Sequence, residues 1–450
     1  MNVKSIHNVY FIGIGGIGMS ALARYFHHIG KKVAGYDKTI TPLTQELENL
    51  GINIHYVDAL EAVSNEFKKK EITLVVYTPA VPQEHEELQY FLGHGFEVKK
   101  RSEVLGLITK NTFCLAVAGT HGKTTTSSIL AHLLKSVNVP FTSFLGGISE
   151  DFESNFVFEG NEYSVVEADE FDRSFLRLYP DIACITSMDA DHLDIYGSSD
   201  ELGGAFREFG GKIGPNGSLI VCKGLPIDGI TYAIDEVADY SITNLKIKDG
   251  AYHFDILGSF GILKDVSFHK PGRHNLSNAL AAFAMAVEAG FLPNTLVEGL
   301  ASFKGVKRRF SYQMKTPDFV FIDDYAHHPT EINAVFEAVV EMHPEKVNMV
   351  VFQPHLYSRT KDFVDDFAKS LARYDAIRLL DIYPAREDPI PGVTSQWLLD
   401  KIDNPNKKLI KKSNLLEELV ENRPEVLITL GAGDIGLEVP KIKNALAHAS

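Results

Sequence analysis

Lys123 and Thr124 stand where a chain can hold a phosphate. Residues 113–128 read FCLAVAGTHGKTTTSS: an apolar run, the turn Gly119-Thr120-His121-Gly122, then Lys123-Thr124-Thr125. Strand, glycine turn, Lys-Thr and helix is the layout of a phosphate-binding loop. Backbone N–H groups at the helix start surround the anion, the lysine reaches the outer phosphates, and the threonine hydroxyl suits Mg²⁺. Val117 stands where the longer form of the motif has glycine, so the loop is a shortened variant. A second anion turn lies earlier, at Gly13-Ile14-Gly15-Gly16-Ile17-Gly18, followed by Met19 and Ser20, with Asp37 closing the next strand. This is G-x-G-x-x-G with an acidic residue about 20 positions on, the dinucleotide fingerprint. Taken alone it points to NAD; the broader reading is a nucleotide diphosphate on the turn between Gly15 and Ser20.

Carboxylates form the next groups. Glu167-Ala168-Asp169-Glu170-Phe171-Asp172 crowds like charges at a strand end, which is costly unless a cation offsets them. Mg²⁺ beside a nucleotide is the natural cation. A second group, Asp189-Ala190-Asp191-His192-Leu193-Asp194, leaves the following strand, and His192 beside Asp191 is a metal-ligand candidate. Asn275 and Asn278 share a face of one helix turn and offer the donor and acceptor of an adenine edge, or Asn275 caps that helix. Lys307-Arg308-Arg309 is a phosphate clamp or a solvated basic turn. Asp323-Asp324-Tyr325-Ala326-His327-His328 and Gln353-Pro354-His355-Leu356-Tyr357-Ser358-Arg359 put polar groups at two more strand ends.

The elements that must position these groups alternate. Strands are expected over 9–14, 32–36 and 73–78, with a helix over 19–29. The strand over 73–78 ends in Thr78-Pro79-Ala80-Val81-Pro82, at the sheet edge where open α/β folds bind ligands. A short helix at 102–107 carries the link onward. Strands over 113–118, 163–166 and 181–187 and a helix over 123–137 build the phosphate-loop unit. Short strands at 251–257 and 261–268 suggest a small, partly antiparallel subsheet, and an alanine-rich helix follows to about 290. Strands over 319–322, 347–352, 376–380 and 426–430 and a helix over 331–342 form a third alternating unit. The whole reads as α/β.

The chain has 450 residues, about three domains by length. Its net charge of −15 argues against nucleic acid as a partner. Cys114, Cys184 and Cys222 lie far apart in apolar runs, neither a disulfide framework nor a zinc spacing. No signal pattern opens the chain and no long apolar run spans a membrane, so a cytoplasmic protein without membrane insertion is expected.

Together the motifs resemble the Mur ligase family of peptidoglycan synthesis. GIGGIGMSALA, GTHGKTTT, EADE, DADHLD, GRHNLSNALAA, DDYAHHPTE and FQPHLYSRT occur in order between Gly13 and Asp434. The resemblance implies three domains: a Rossmann-like one over 1–106, a P-loop ATPase-like parallel-sheet domain with the small extra β subsheet over 107–311, and a second Rossmann-like one over 312–450. The first would hold the UDP of UDP-N-acetylmuramate on Gly15, Gly16, Ile17, Gly18, Met19, Ser20, Asp37, Thr78, Pro79 and Ala80. The second would bind ATP on residues 119–125, with Lys123 on the phosphates and Asn275 and Asn278 at adenine. Thr124 and Glu167 would hold one Mg²⁺, and Glu167 with His192 a second; Mn²⁺ could substitute. The third would close over ATP, with Asp324 near the ribose and Arg309 near the γ-phosphate. Tyr325, His327, His355 and Arg359 would face the amino acid and the acyl group. Lys123, Glu167, His192, His327 and Arg359 would carry catalysis.

The implied reaction joins L-alanine to the lactyl carboxylate of UDP-N-acetylmuramate through an acyl phosphate, with ATP giving ADP and phosphate. Alternatives are a sister ligase adding a recycled tripeptide, an NAD-dependent oxidoreductase resting on Gly13–Gly18 and Asp37, and a non-catalytic ATP switch. Three positions depart from the family pattern: Phe171 replaces a small polar residue, Ser187 an asparagine, and Leu356 an arginine.

Overall fold

The computed structural model describes residues 6–189, 196–248, 250–385 and 387–448. His192, with Asp191 and Asp194, lies outside the described residues. Among the described residues there are three sheets, and the chain divides into two compact units. The first comprises Met1–Lys246, His253–Phe268 and Ser277–Lys304; the second comprises Ile247–Tyr252, His269–Leu276 and Gly305–Ser450.

The first sheet joins β1 (Asn8–Ile12), β2 (Lys32–Tyr36), β3 (Asn53–His55), β4 (Thr73–Tyr77) and β5 (Glu97–Lys100) in the order β3-β2-β1-β4-β5, all parallel. Alternate residues of β1 enter opposite cores, as a strand's period of two requires. Val9 and Phe11 pack with Met19, Leu22 and Phe26 of the helix Ile17–His28. Tyr10 and Ile12 pack with Val75, Leu88 and Phe91 on the other face. The strand order turns back between β1 and β4, so the glycine turn after β1 and the Thr78 loop after β4 flank one crevice. The helix starts at Ile17, two residues before the expected Met19, because Gly16 already serves as its N-cap.

The second sheet contains β6 (Phe113–Ala118), β7 (Phe141–Ser149), β8 (Ser154–Phe158), β9 (Tyr163–Glu167), β10 (Ile182–Ile185), β11 (Ser218–Cys222), β12 (Ile230–Ile234), β13 (Tyr240–Lys248), β14 (Ala251–Gly258) and β15 (Gly261–Phe268). Its order is β15-β14-β13-β12-β11-β10-β6-β9-β7-β8. The phosphate-loop strand β6 lies near the centre, parallel to β9 and β10 on either side. The extra β region is present, and it is hydrogen-bonded in series onto this sheet's edge. The antiparallel pair β7–β8 at the other edge was not expected. Strand β10 is shorter than the expected 181–187, because Thr186 and Ser187 leave the ladder to bond the phosphate loop.

The third sheet joins β16 (Ser311–Lys315), β17 (Val320–Asp324), β18 (Asn348–Phe352), β19 (Ala376–Leu379), β20 (Lys407–Leu409) and β21 (Val426–Leu430) in the order β16-β17-β21-β18-β19-β20. Only β16 runs antiparallel to its neighbour among these described strands. The strand interiors are buried on both faces, the pattern of a parallel sheet covered by helices. No described helix is long and apolar enough to cross a membrane.

Candidate active site

Within the first unit, the phosphate loop is held from below by the end of β10. Ser187 Oγ accepts from the His121 N–H at 2.8 Å and lies 2.9 Å from Thr120 Oγ1. Thr186 Oγ1 donates to the Ala118 carbonyl at 3.1 Å and also to that of His121. The serine that departs from the family pattern is therefore a loop brace. Gly122, at φ +82°, is the left-handed N-cap of the helix Lys123–Ser136. A Cβ there would also lie 2.4 Å from Asn278 Oδ1, so glycine is required twice over and Asn278 sits against the loop. Thr124 and Thr125 are buried in the first helical turn.

Lys123 Nζ donates to the Gly119 carbonyl at 2.7 Å and to both oxygens of Glu170, at 2.9 and 2.8 Å. Burial alone would lower its pKa; the charges of Glu170, Asp169 and Glu167 outweigh that and raise it. The crowded carboxylates are largely offset by the chain's own cations. Glu170 holds Lys123, Asp169 meets Arg101 at 3.3 Å and Asp172 meets Lys100 at 2.8 Å. Glu167 accepts from the Gly146 N–H at 3.0 Å. The expectation that Mg²⁺ offsets the whole group is corrected for Glu170, Asp169 and Asp172, which Lys123, Arg101 and Lys100 meet. Among the described residues no group of three His, Cys, Asp or Glu side chains forms a metal cage.

The glycine turn of the first sheet is equally constrained. Asp37 Oδ2 accepts from the Gly15 N–H at 2.7 Å, so Asp37 shapes the turn. Asn155 of β8 donates to the Ile17 carbonyl at 2.6 Å and to Ser20 Oγ at 2.9 Å. A cavity of about 240 Å³ is lined by Gly16, Ile17, Gly18, Met19 and Thr78 from this side and by Arg101, Phe144, Gly146, Glu167 and Asp169. It brings the anion turn and Glu167 together. Arg101 and Asn155 were not singled out in the sequence, and Asp169 and Glu170 were read only as members of the crowded carboxylate group. Pro79 and Ala80 are exposed on the Thr78 loop.

In the second unit, Asp324 ends β17, buried, with Oδ2 accepting from Phe310 N–H at 2.6 Å and Oδ1 from Ala326 N–H at 2.7 Å. Burial pushes its pKa up to about 6. The guanidinium groups of Arg308 and Arg309 lie 5.1 and 5.3 Å from the centre of the Tyr325 ring. Arg308 bonds Asp323 and the Gly431 carbonyl, so the basic turn at 307–309 is partly structural. Arg309 meets Glu331 at 3.5 Å. His327 Nδ1 lies 3.0 Å from the Tyr325 carbonyl and 3.2 Å from Glu331, and burial pushes its pKa down to about 4. Its ring meets that of His355 at 6.1 Å, and His355 Nδ1 lies 3.4 Å from Arg359 Nη1. Tyr325, His327, His355 and Arg359 thus form one cluster, joined by Tyr383 stacked on His355. Leu356 follows at φ +72°, a backbone setting rare for a branched residue. Asn275 does not cap its helix, which begins at Arg273; its Nδ2 donates to the Pro271 carbonyl at 2.6 Å.

These features define a class: an α/β protein with a glycine loop that runs into a Lys-Thr helix start, a second glycine turn on another parallel sheet and a separate polar cluster on a third sheet. Three domain families match in order along the chain. The Mur ligase family catalytic domain matches residues 8–112, the Mur ligase middle domain 117–286 and the Mur ligase glutamate ligase domain 308–437. A UDP-N-acetylmuramate–L-alanine ligase of Flavobacterium johnsoniae is 55% identical over 99% of both chains. The crystal structure of a UDP-N-acetylmuramate-alanine ligase from Thermotoga maritima has a TM-score of 0.83 at 26% identity, over 98% of this chain and 100% of that one. A murein peptide ligase from Psychrobacter arcticus shares the fold at a TM-score of 0.69 and 21% identity, over 98% of each chain. The chain belongs to the Mur ligase family.

Proposed function

We propose that this protein joins L-alanine to the lactyl carboxylate of UDP-N-acetylmuramate at the expense of ATP, as a cytoplasmic step of cell-wall precursor synthesis. One observation carries the reading. Glu167, at the end of a strand flanking the phosphate loop, lines the same cavity as the Gly16–Gly18 turn. A nucleotide sugar seated on that turn directs its acid toward the strand ends where ATP is bound. The 55% identity to a relative of that name, over the whole chain, supports the same acceptor. An oxidoreductase reading leaves Lys123, Glu170 and the third-sheet cluster without a role.

The reaction needs two anions brought together. The lactyl carboxylate attacks the γ-phosphorus of ATP, giving an acyl phosphate and ADP. The amine of L-alanine then attacks the acyl carbon, and phosphate leaves. Lys123, released from Glu170, stabilises the transferring oxygens. The hydroxyl of Thr124 and the carboxylate of Glu167 are hard oxygen donors that fit Mg²⁺, which when bound would spread the phosphate charge. His192 is proposed as a further ligand on the family resemblance. Asn278 lies against the loop, and with Asn275 it is assigned to adenine. His327, neutral at pH 7 because burial lowers its pKa, can accept a hydrogen bond from the alanine amine once that amine has lost its proton; Arg359 suits its carboxylate. The domains are assigned as 1–106 for the nucleotide sugar, 107–311 for ATP and 312–450 for the amino acid.

Phosphate release from ATP and Mg²⁺ with UDP-N-acetylmuramate, with and without L-alanine, tests the reading. Release that requires both acceptors, with an amide product, is expected. Release only when a tripeptide replaces L-alanine would move the protein to the sister activity, and no release with either would overturn the ligase reading.

A further inference from the structure

Tyr10, His55 and Glu87 meet on the face of the first sheet opposite the helix Ile17–His28. Three contacts run in a row. His55 Nδ1 lies 2.9 Å from the Val57 carbonyl oxygen, His55 Nε2 lies 2.7 Å from Tyr10 Oη, and Tyr10 Oη lies 2.7 Å from Glu87 Oε2. Each contact needs one proton between its two atoms. The carbonyl only accepts, a neutral imidazole brings one N–H and a phenol brings one O–H. Two protons cannot complete three contacts, so the row closes only with a third, on Glu87 or on His55. Burial selects the holder. It keeps His55 below its usual range, and it pushes the fully buried Glu87 up to about 7.

The surroundings act the same way. Asp58 accepts from the N–H groups of Glu86 and Glu87 at 3.0 and 3.3 Å, which fixes it at the start of the helix Glu86–Gly93, and it lies 3.1 Å from His85 Nδ1. The charges of Asp58 and Glu86 disfavour a further anion at Glu87. Tyr36 of β2 packs its ring on His55 and His85, with centroids 5.7 and 4.5 Å apart. Tyr77 of β4 and Tyr90 border the same core, and Lys68 turns to the Leu60 carbonyl at 2.8 Å.

We infer that Glu87 is a proton-binding site whose proton is linked to the glycine turn of the first sheet. With the proton present, Glu87 donates to Tyr10, Tyr10 to His55 and His55 to the Val57 carbonyl. When the proton leaves to solvent, Tyr10 turns its hydrogen to the carboxylate. Lone pairs then face each other at Tyr10 Oη and His55 Nε2, and that contact opens. Tyr36 leans on the same imidazole, and its carbonyl accepts from the Gly13 N–H at 2.8 Å and the Ile14 N–H at 2.9 Å. Opening the row loosens the turn, and the nucleotide sugar binds less tightly. The folded value of about 7 lies above the ordinary 4.5. The stabilisation is therefore whole below 4.5 and lost as pH rises through 7. The link to the ligand rests on the nucleotide-sugar reading of that turn; the proton site does not.

The test compares the full-length protein with Glu87→Gln, which puts an amide N–H in the row at every pH. Infrared difference spectra between the two should show a protonated carboxyl group in the unaltered protein at pH 6 that is gone at pH 9. No such band at pH 6 would overturn the proton site. If Glu87→Gln does not fold, Tyr10→Phe takes its place. It removes the hydrogen bond that favours the carboxylate, so the band should persist to higher pH, and an unmoved band would overturn the row. Calorimetric binding of UDP reads the link. From pH 6 to pH 9 the unaltered protein should lose about threefold more affinity than Glu87→Gln, a comparison in which the titration of UDP itself cancels. Equal losses in both would overturn the link to the turn. Failure of the unaltered protein to bind UDP at any pH would overturn the function proposed for the turn and the link with it, while the infrared band still decides the proton site.

Discussion

Glu170 shows what a single buried carboxylate does here. It is fully buried, and its two oxygens meet one ammonium, that of Lys123. Removing one partner of such a pair leaves the other charge buried and uncompensated. Glu170→Gln should therefore lower unfolding stability by about 3 kcal/mol in denaturant titrations. A change below about 0.5 kcal/mol would mean that solvent already screens the pair. The histidines give a second prediction at this scale. The folded-state pKa of His327 lies at about 4, below its ordinary value of 6.5. Between those values the unfolded chain binds the proton and the folded one does not. The contribution is thus intact above pH 6.5 and lost as pH falls toward 4. Asp324, raised to about 6, acts with the opposite sign. The clean measurement is thus the difference between wild type and His327→Gln. That difference should shrink by up to about 3 kcal/mol from pH 7 to pH 4, and a pH-independent difference would refute the shift.

Elements explain what the sequence made legible. The turns after β1 and β6 were readable because their chemistry is local: glycines, lysine and threonine must stand at fixed offsets from a strand end. The partners of the crowded carboxylates were not readable, because Lys100 and Asp172 are 72 residues apart and Arg101 and Asp169 are 68 apart. Only the packing of the helix Arg101–Thr109 beside residues 171–177 brings them together. The β7–β8 hairpin was missed for a related reason. Its buried positions include Thr142, Ser143, Ser149 and Asn155, polar residues that blur the alternation of a strand. That hairpin nonetheless delivers Gly146 to Glu167. A Cβ on Gly146 would lie 2.2 Å from Glu167 Oε2, so Gly146→Ala must push the carboxylate aside. The expected result is an overpacking cost of about 1–3 kcal/mol together with a raised Mg²⁺ requirement. An unchanged Mg²⁺ titration would remove Glu167 from the metal assignment.

At the scale of the whole molecule, the three cysteines are a probe of integrity. Cys114 and Cys184 lie in the central sheet with no exposure, and burial pushes the Cys114 thiol up to about 12 and that of Cys184 further. Cys222 is half-buried and raised less. Thiolate is the reactive form, so a thiol reagent at pH 7 should label the folded protein slowly, and at Cys222 first. Rapid labelling of all three without denaturant would contradict the packed sheet. The order of the three domain families along the chain was legible from motif order alone. The pairing of β12 through β15 onto the main sheet was not, because an edge strand and a separate subsheet share one local pattern.

The Lys123–Glu170 pair also sets an entry threshold for the loop. An anion entering it must draw the lysine away from a carboxylate that already satisfies it. A nucleotide meets that cost with its base, ribose and three phosphates, whereas a lone inorganic phosphate has few contacts to offer. The enzyme is thereby sheltered from the phosphate its own turnover releases, and product inhibition by that ion should be weak. In Glu170→Gln the shelter is gone, and inorganic phosphate should compete with ATP at about tenfold lower concentration; equal inhibition of both forms would show that the carboxylate guards nothing.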